Sequence, residues 1–306
     1  MNFKSFLSKI LSESGKATEK WSTSRATKSD IETALKLVSN AIDINLSTLK
    51  NQLLGSTELT LLGYKDDSGD VDIALELKSP EYMDEIHSKM MNSFNNEGIL
   101  QKGIKVGSYA IPVSNKKKIQ VDLMFVPDVK WAKFNFFSGE GKSSKYKGAV
   151  RNELLMAALR YSLKPNEDLI VLDDSGNVIA RASRAWIPSQ GIKRVFKIAP
   201  INKKGTARLK GMVDISPEEL KKELIKIDPK YKDIKFNDTV DLISDPDKAV
   251  EHIFGKGVTE KDVVSAEDII KLIKKTFSKS DQEKIFKDVS AVFKGTKVKL
   301  PPEITI

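Results

Sequence analysis

Residues 69–75 read Gly-Asp-Val-Asp-Ile-Ala-Leu, which sets two carboxylates two positions apart inside an otherwise apolar run. Side chains at alternate positions of a β-strand point to the same face of its sheet. A strand here therefore directs Asp70 and Asp72 off one face, while Val71 and Ile73 anchor the other. Two like charges held this close raise each other's pKa unless a cation lies between them. The pattern predicts a divalent metal site, and hard oxygen ligands of this kind favour Mg²⁺.

A third acid occurs in a second apolar strand. Residues 119–125 read Ile-Gln-Val-Asp-Leu-Met-Phe, and the alternation sets Asp122 on the same face as Gln120. Residues 105–113 and 118–126 are expected to form a hairpin. If the second strand of that hairpin lies beside the first acidic strand, all three acids converge on one face of a sheet. Three carboxylates can hold two Mg²⁺ ions about 3.5–4 Å apart, an arrangement that serves nucleotidyl transfer.

The remaining sequence alternates between helical and strand patterns, which predicts a mixed α/β fold. The sequence pattern changes beyond Pro165, where two short predicted strands flank the turn sequence Asp173-Asp174-Ser175-Gly176-Asn177. We predict helices at 31–52, 80–95, 148–163, 216–227, 246–254, 265–277 and 280–293, and further strands at 169–172 and 178–182. Three parts are expected: an amphipathic helix with a flexible linker (1–30), a catalytic domain (31–165) and an α+β C-terminal domain (166–306).

Composition narrows the chemistry. The 306 residues include no cysteine, which excludes disulfides and thiolate chemistry, and only two histidines. Carboxylates are therefore the better candidates for catalysis. No stretch approaches the roughly 18 apolar residues of a membrane span, so we expect a cytoplasmic protein with no membrane partner.

The formal net charge of +9 is concentrated in two basic patches. Residues 114–152 carry nine Lys or Arg against three acids, and residues 193–212 carry seven with no acid. Basic patches on a mildly acidic body are typical of proteins that bind a polyanion, either nucleic acid or a triphosphate. A solvated lysine-rich surface is the alternative reading.

These motifs resemble the polymerase-beta-like nucleotidyltransferase superfamily. Its signature is Gly-Ser or Gly-Gly, a short spacer, Asp-hydrophobic-Asp/Glu-hydrophobic, and a third acid on a later strand. This chain offers Gly55-Ser56 after Leu54, then Asp70 and Asp72, then Asp122, and the resemblance covers roughly residues 31–160. It implies a small mixed sheet flanked by helices.

The resemblance also implies roles for particular residues. Gly55 and Ser56 would bind the β- and γ-phosphates of an NTP, as backbone nests do. Asp70 and Asp72 would ligate both metals, Mg²⁺ or Mn²⁺, and Asp122 would complete the metal that activates the acceptor hydroxyl. Thirteen residues separate Ser56 from Asp70, so Gly63-Tyr64 is a rival for the phosphate-binding turn.

A segment that follows the third acid mixes aromatic and basic residues. Trp131 to Arg151 surrounds the sequence Ser138-Gly139-Glu140-Gly141, and bases stack on aromatic rings while phosphates contact lysines. We predict that Lys145, Lys147 and Arg151 contact phosphate. The alternative is that the phenylalanines are core residues and the lysines are merely solvated.

The acceptor and the biological setting follow from weaker patterns. Two basic patches favour an RNA 3′ end as acceptor, while a protein hydroxyl, as in toxin-like members of the superfamily, stays open. Leu11-Ser12-Glu13 resembles the site cut by prohead proteases of large tailed bacteriophages. That resemblance implies packaging in a virion and action in the bacterial host cytoplasm. A non-catalytic virion or nucleic-acid-binding protein is the competing class.

Overall fold

A computed structural model describes residues 21–136, 146–162, 169–188, 190–202, 204, 209, 211–233 and 242–304. The helix predicted within 1–13, the Leu11-Ser12-Glu13 motif, the domain boundary predicted at 164–167 and Lys145 lie outside these residues. In the described part, α-helices and strands are interspersed along the chain, in runs of one to four elements of the same kind. The prediction of a mixed α/β class is confirmed. The described residues contain no helix long and apolar enough to cross a membrane.

Eleven short elements make up the part that carries the acidic motifs. In chain order they are β1 (Ala26–Thr27), α1 (Lys28–Ile42), α2 (Leu46–Asn51), α3 (Gly55–Leu61), β2 (Asp67–Ser68), β3 (Val71–Glu76), α4 (Pro80–Ser93), β4 (Gly98–Gln101), β5 (Val106–Ser114), β6 (Lys117–Val126) and α5 (Val129–Phe136). The predicted strands 105–113 and 118–126 are β5 and β6, and they pair antiparallel as a hairpin.

The central sheet has the strand order β3-β6-β5-β4. β3 runs parallel to β6, while the other neighbours are antiparallel, so the sheet is mixed. Parallel neighbours need a crossover connection, and here α4 together with β4 and β5 supplies it. Val71, Ile73 and Leu75 of β3 are buried in one cluster with the apolar stripe of α1. This packing leaves the opposite face of β3, the one with Asp72, toward α5 and the site.

The predicted single helix over 31–52 is wrong in two respects. It is two helices, because Asp43 adopts a left-handed conformation (φ 56°) that ends α1, and Asn45 caps α2. The first helix also starts at Lys28, three residues before the predicted start at residue 31: the Thr27 side chain is its N-cap, and Asp30 closes the capping box at N3.

The C-terminal part pairs a second sheet with helices. Its elements are α6 (Gly148–Tyr161), β7 (Leu169–Leu172), β8 (Val178–Ile187), β9 (Gly191–Ile198), β10 (Val213–Asp214), α7 (Pro217–Ile227), β11 (Leu242–Ile243), α8 (Pro246–Phe254), α9 (Ala266–Thr276) and α10 (Lys279–Phe293). The sheet order is β10-β9-β8-β7, with β11 also paired to β9. The strands predicted at 169–172 and 178–182 are present, and the second extends to Ile187.

Helix α6 is more deeply buried than its amphipathic pattern predicts. Every residue from Val150 to Leu159 is buried, including Arg151, Asn152 and Glu153. The helix packs in one cluster with α8, α9 and α10 and with Trp131 of α5. It therefore joins the acidic part to the C-terminal helices.

Candidate metal and nucleotide site

The parallel register of β3 and β6 brings the three acids together. Asp72 is paired with Asp122 across the two strands, and Asp70 lies two residues before Asp72. One carboxylate oxygen from each of the three lies within 4.8 Å of the other two. The prediction that Asp70, Asp72 and Asp122 converge on one face of the sheet, if their two strands are neighbours, is therefore confirmed.

Burial and mutual repulsion make this cluster costly for ionised carboxylates. Burial raises the pKa of Asp72 well above its usual range, and the charges of Asp70 and Asp122 raise it further. Burial, then the charge of Asp70, raises the pKa of Asp122 to about 7. Within the described residues no ion pair joins Asp72 or Asp122 to a lysine or arginine. A divalent cation is the group that would compensate these charges.

Two neighbouring side chains fix the orientation of the third acid. The Gln120 amide Nε2 donates to both carboxylate oxygens of Asp122, each at 3.0 Å, and Gln120 is itself buried. Ser108, which faces Asp122 from β5, also hydrogen bonds to it. The hydrogen bonds from Ser108 and Gln120 lower the pKa of Asp122 and thereby favour its ionised, ligating form.

The Gly55-Ser56 turn lies directly beside the acids. Leu54 donates its N–H to the Asp72 carbonyl at 3.1 Å, which fixes the chain just before α3 against β3. Gly55 has φ +53°, a left-handed conformation that suits glycine, and its N–H group opens the helix. The hydroxyls of Ser56 and Ser68 lie 2.6 Å apart. Residues 57–61 of the thirteen-residue spacer before Asp70 lie in α3, and Leu62 is the C-cap of that helix.

Thr57 is a further link that the sequence did not reveal. Its buried hydroxyl accepts from the Asp72 N–H at 2.9 Å and donates to the Asp70 carbonyl at 3.2 Å. The first turn of α3 and the main chain of both acids are therefore tied together. The sequence signal for Thr57 is its position directly after Gly55-Ser56. Its hydrogen bonds to the main chain of Asp70 and Asp72 depend on the tertiary fold, so the sequence alone does not show them.

Two cavities meet at the cluster and share Gly55, Asp70 and Phe136. The acid pocket has a volume of about 200 Å³ and is lined by Leu54, Gly55, Asp70, Asp72, Gln101, Ile104, Val106, Ser108, Asp122, Met124 and Phe136. The wide groove has a volume of about 870 Å³ and is lined by Arg25, Gly55, Ser56, Leu59, Tyr64, Lys65, Asp66, Asp67, Gly69, Asp70, Phe136, Tyr146, Lys147, Gly148, Arg151 and Val264.

The predicted phosphate contacts fall in different environments. Lys147 is exposed at the start of α6 and lines the wide groove. Arg151 also borders the groove, but its guanidinium is buried and donates to the carbonyls of Val263 (2.7 Å) and Phe134 (2.9 Å). Burial lowers the Arg151 pKa to about 9. These bonds give Arg151 a structural role, and phosphate contact by either side chain stays a prediction.

The rival turn Gly63-Tyr64 lies at the far end of α3. Tyr64 is 49% exposed and lines the wide groove, whereas Gly63 lines neither cavity. Gly55, by contrast, lines both cavities. The geometry favours Gly55-Ser56 as the turn nearest the acids.

Comparisons of this chain with protein-family models, with curated proteins and with solved structures find no match. The arrangement of the three acids, the Gly55-Ser56 turn and the two cavities is therefore the basis on which a function is inferred.

Proposed function

We propose that this protein is a metal-dependent nucleotidyltransferase that moves a nucleoside monophosphate from an NTP to a hydroxyl group. The observation that carries this proposal is the pairing of Asp72 with Asp122, which gathers three carboxylates within 4.8 Å beside the Gly55-Ser56 turn. The order of turn, acidic strand and third acid also agrees with the superfamily that the sequence resembles.

The donor set fits Mg²⁺ or Mn²⁺. Asp70, Asp72 and Asp122 offer hard oxygen ligands, and their raised pKa values identify a site where negative charge lacks compensation. Bound divalent ions would supply Lewis-acid activation of the attacking hydroxyl and neutralise charge on the triphosphate. A calcium loop with Asp66, Ser68 and Asp70 as ligands fits poorly, because Val71 occupies the sixth position of that loop, where the EF-hand needs glycine.

The chain's own groups account for substrate placement. The wide groove, which has Ser56, Lys65 and Lys147 along its walls, is large enough for an NTP. Backbone N–H groups at Gly55 and Ser56 would hold the terminal phosphates, and Thr57 would keep that turn in register with the acids. Gln120 would hold the Asp122 carboxylate toward the reacting atoms.

The predicted RNA acceptor depends on the two basic patches. Lys147, from the 114–152 patch, lines the wide groove. No described residue of the 193–212 patch lines either cavity. RNA therefore stays a proposal from charge alone, and the setting in a phage-infected bacterium stays a proposal from the Leu11-Ser12-Glu13 motif.

Incubation with NTPs labelled at the α-phosphate tests this function. The full chain is mixed with Mg²⁺, total bacterial RNA and total bacterial protein, and the label is followed into each fraction. Transfer to a macromolecule that EDTA and Asp72→Asn both abolish supports the proposal. Label that the Asp72→Asn variant still transfers refutes the metal assignment, and no transfer with Mg²⁺ or Mn²⁺ refutes the enzyme.

A further inference from the structure

The acid pocket differs from the wide groove in the character of its walls. Five apolar side chains surround it: Leu54, Ile104, Val106, Met124 and Phe136. Apart from the three acids, its polar side chains are Gln101 and Ser108. Ser108 is already hydrogen bonded to Asp122. A group inside this pocket therefore meets an apolar surface on most sides and the acids at one end.

Basic residues are distributed unequally between the two cavities. The wide groove has Lys65 and Lys147 along its walls, together with Arg25, which is paired with Asp67, and Arg151, whose guanidinium donates to backbone carbonyls. Asp66 and Asp67 line the groove as well. Among the described residues that line the acid pocket there is no lysine or arginine. A phosphate-bearing group is thus accommodated on the groove side of Asp70, and an uncharged group on the pocket side.

The size of the acid pocket limits what enters it. Its volume is about 200 Å³. An apolar protein cavity of about 150 Å³ is large enough to bind benzene, whereas sites for drug-sized molecules begin near 300 Å³. The acid pocket therefore matches one six-membered ring with a small substituent.

We infer that the acceptor is the phenol of a tyrosine side chain, inserted into the acid pocket with its hydroxyl toward Asp122. This inference rests on the proposed nucleotidyl transfer and names its acceptor class. The ring packs against Ile104, Val106 and Met124, which are apolar, and the hydroxyl reaches the acidic end. A phenol ionises near pKa 10 and is more easily activated than an aliphatic hydroxyl.

The reaction balances with an NTP as the only co-reactant. The phenolic oxygen forms a bond to the α-phosphorus, and the bond from that phosphorus to the α,β-bridging oxygen breaks. Pyrophosphate leaves with the electron pair, and the phenolic proton passes to solvent. The product is a tyrosine O-linked to a nucleoside monophosphate.

The 3′ end of an RNA matches the pocket less well. Its ribose carries polar oxygens that would meet Ile104, Val106 and Met124, with Gln101 as the remaining polar side chain. Burying hydroxyls without partners is unfavourable. Its phosphodiester would also lie close to three carboxylates and away from the basic residues of the wide groove.

The test compares two acceptors and two variants of the full chain. The acceptors are a glycine-flanked tyrosine peptide and a short RNA with a free 3′-OH, each supplied with Mg²⁺ and α-labelled NTPs. Ile104→Trp fills the acid pocket, and Lys102→Trp places the same side chain in the same turn without lining it. Binding of an α,β-methylene NTP analogue is measured by calorimetry for every protein.

We expect labelled tyrosine peptide with the wild type and with Lys102→Trp. Ile104→Trp should lose roughly 100-fold in tyrosine labelling, because the acceptor is misplaced, while the affinity for the NTP analogue is unchanged. Analogue binding without tyrosine labelling, or label in RNA alone, overturns the acceptor assignment and leaves the nucleotide site standing. Absence of Mg²⁺-dependent analogue binding overturns the proposed function itself.

Discussion

Replacing Asp122 by asparagine is expected to stabilise the metal-free protein. The pKa of Asp122 rises from 3.8 to about 7 on folding, chiefly through burial. At about 1.36 kcal/mol per pKa unit, the ionised carboxylate lowers the free energy of unfolding by about 4 kcal/mol at pH 8. Asparagine removes the charge and retains an oxygen that accepts from Gln120. Part of the gain is lost with the second hydrogen bond, so about 2–4 kcal/mol remains.

The pH dependence of this gain follows from the direction of the shift. Asp122 has a pKa of 3.8 in the unfolded chain and of about 7 in the folded chain. The free energy of unfolding therefore falls as pH rises from about 4 to about 7, and the contribution of Asp122 is constant at higher pH. The advantage of the variant should therefore shrink by about 2.5 kcal/mol between pH 8 and pH 5, to about 1 kcal/mol or less. Saturating Mg²⁺ should reverse the order at pH 8, because the wild type, which has all three ligands, gains more stability from bound metal than a variant that has lost one ligand.

Urea unfolding at pH 8 and pH 5, with EDTA or with Mg²⁺, measures these differences. Asp174→Asn is the matched control, since Asp174 lies in the exposed turn between β7 and β8 and its replacement should change stability by less than about 0.5 kcal/mol. A metal-free Asp122→Asn protein that is less stable than the wild type at pH 8 would refute the argument that uncompensated charge accumulates at this site.

Further substitutions test the groups around the acids and the buried acid of α6. Thr57→Val leaves the Asp72 N–H without its partner, which should lower the free energy of unfolding in urea by about 1–3 kcal/mol. The variant should also lower kcat more than it changes the KM for NTP, and Thr57→Ser should restore both stability and kcat. An unaltered kcat would exclude the positioning role of Thr57. Gln120→Leu should weaken Mg²⁺ binding about 10–100-fold by calorimetry, and an unchanged affinity would contradict the orienting role of its two hydrogen bonds to Asp122. Burial raises the Glu153 pKa from 4.5 to about 7, so the stability of the wild type should fall as pH rises between these two values. Glu153→Gln should gain up to about 3 kcal/mol at pH 8, less the contribution of the weak ion pair that the substitution removes. Equal pH profiles of stability for the two proteins would count against this effect of burial.

Local patterns in the sequence were sufficient to predict the acidic strand, the β5–β6 hairpin and most helices. Alternation identifies the face of Asp72 and Asp122 because it depends only on neighbouring residues. Their pairing in register depends on a crossover of forty residues, 77–116, and no local pattern encodes it. The same limit explains why Thr57 was missed, since its partners Asp70 and Asp72 lie thirteen or more positions away.

The errors have equally local causes. The stripe from Ile31 to Leu49 continues across Asp43, so periodicity alone hides the break, although Asn45 followed by Ser47 is a recognisable helix start. The phosphate contact predicted for Arg151 stays a prediction, but the sequence did not reveal that this residue, which stands in a basic segment, is buried. Its burial follows from the position of α6 inside one cluster with α5, α8, α9 and α10, which a count of charges cannot show.

A two-metal site at Asp70, Asp72 and Asp122 predicts how many ions the chain binds, and that number is measurable. Mn²⁺ is titrated into the wild-type chain with an α,β-methylene NTP analogue, and bound ions are counted by electron paramagnetic resonance. Two Mn²⁺ per chain are predicted, with binding lost in Asp72→Asn and about one ion lost in Asp122→Asn. Binding that neither substitution alters, or no Mn²⁺ beyond that carried by the free analogue, would contradict the account.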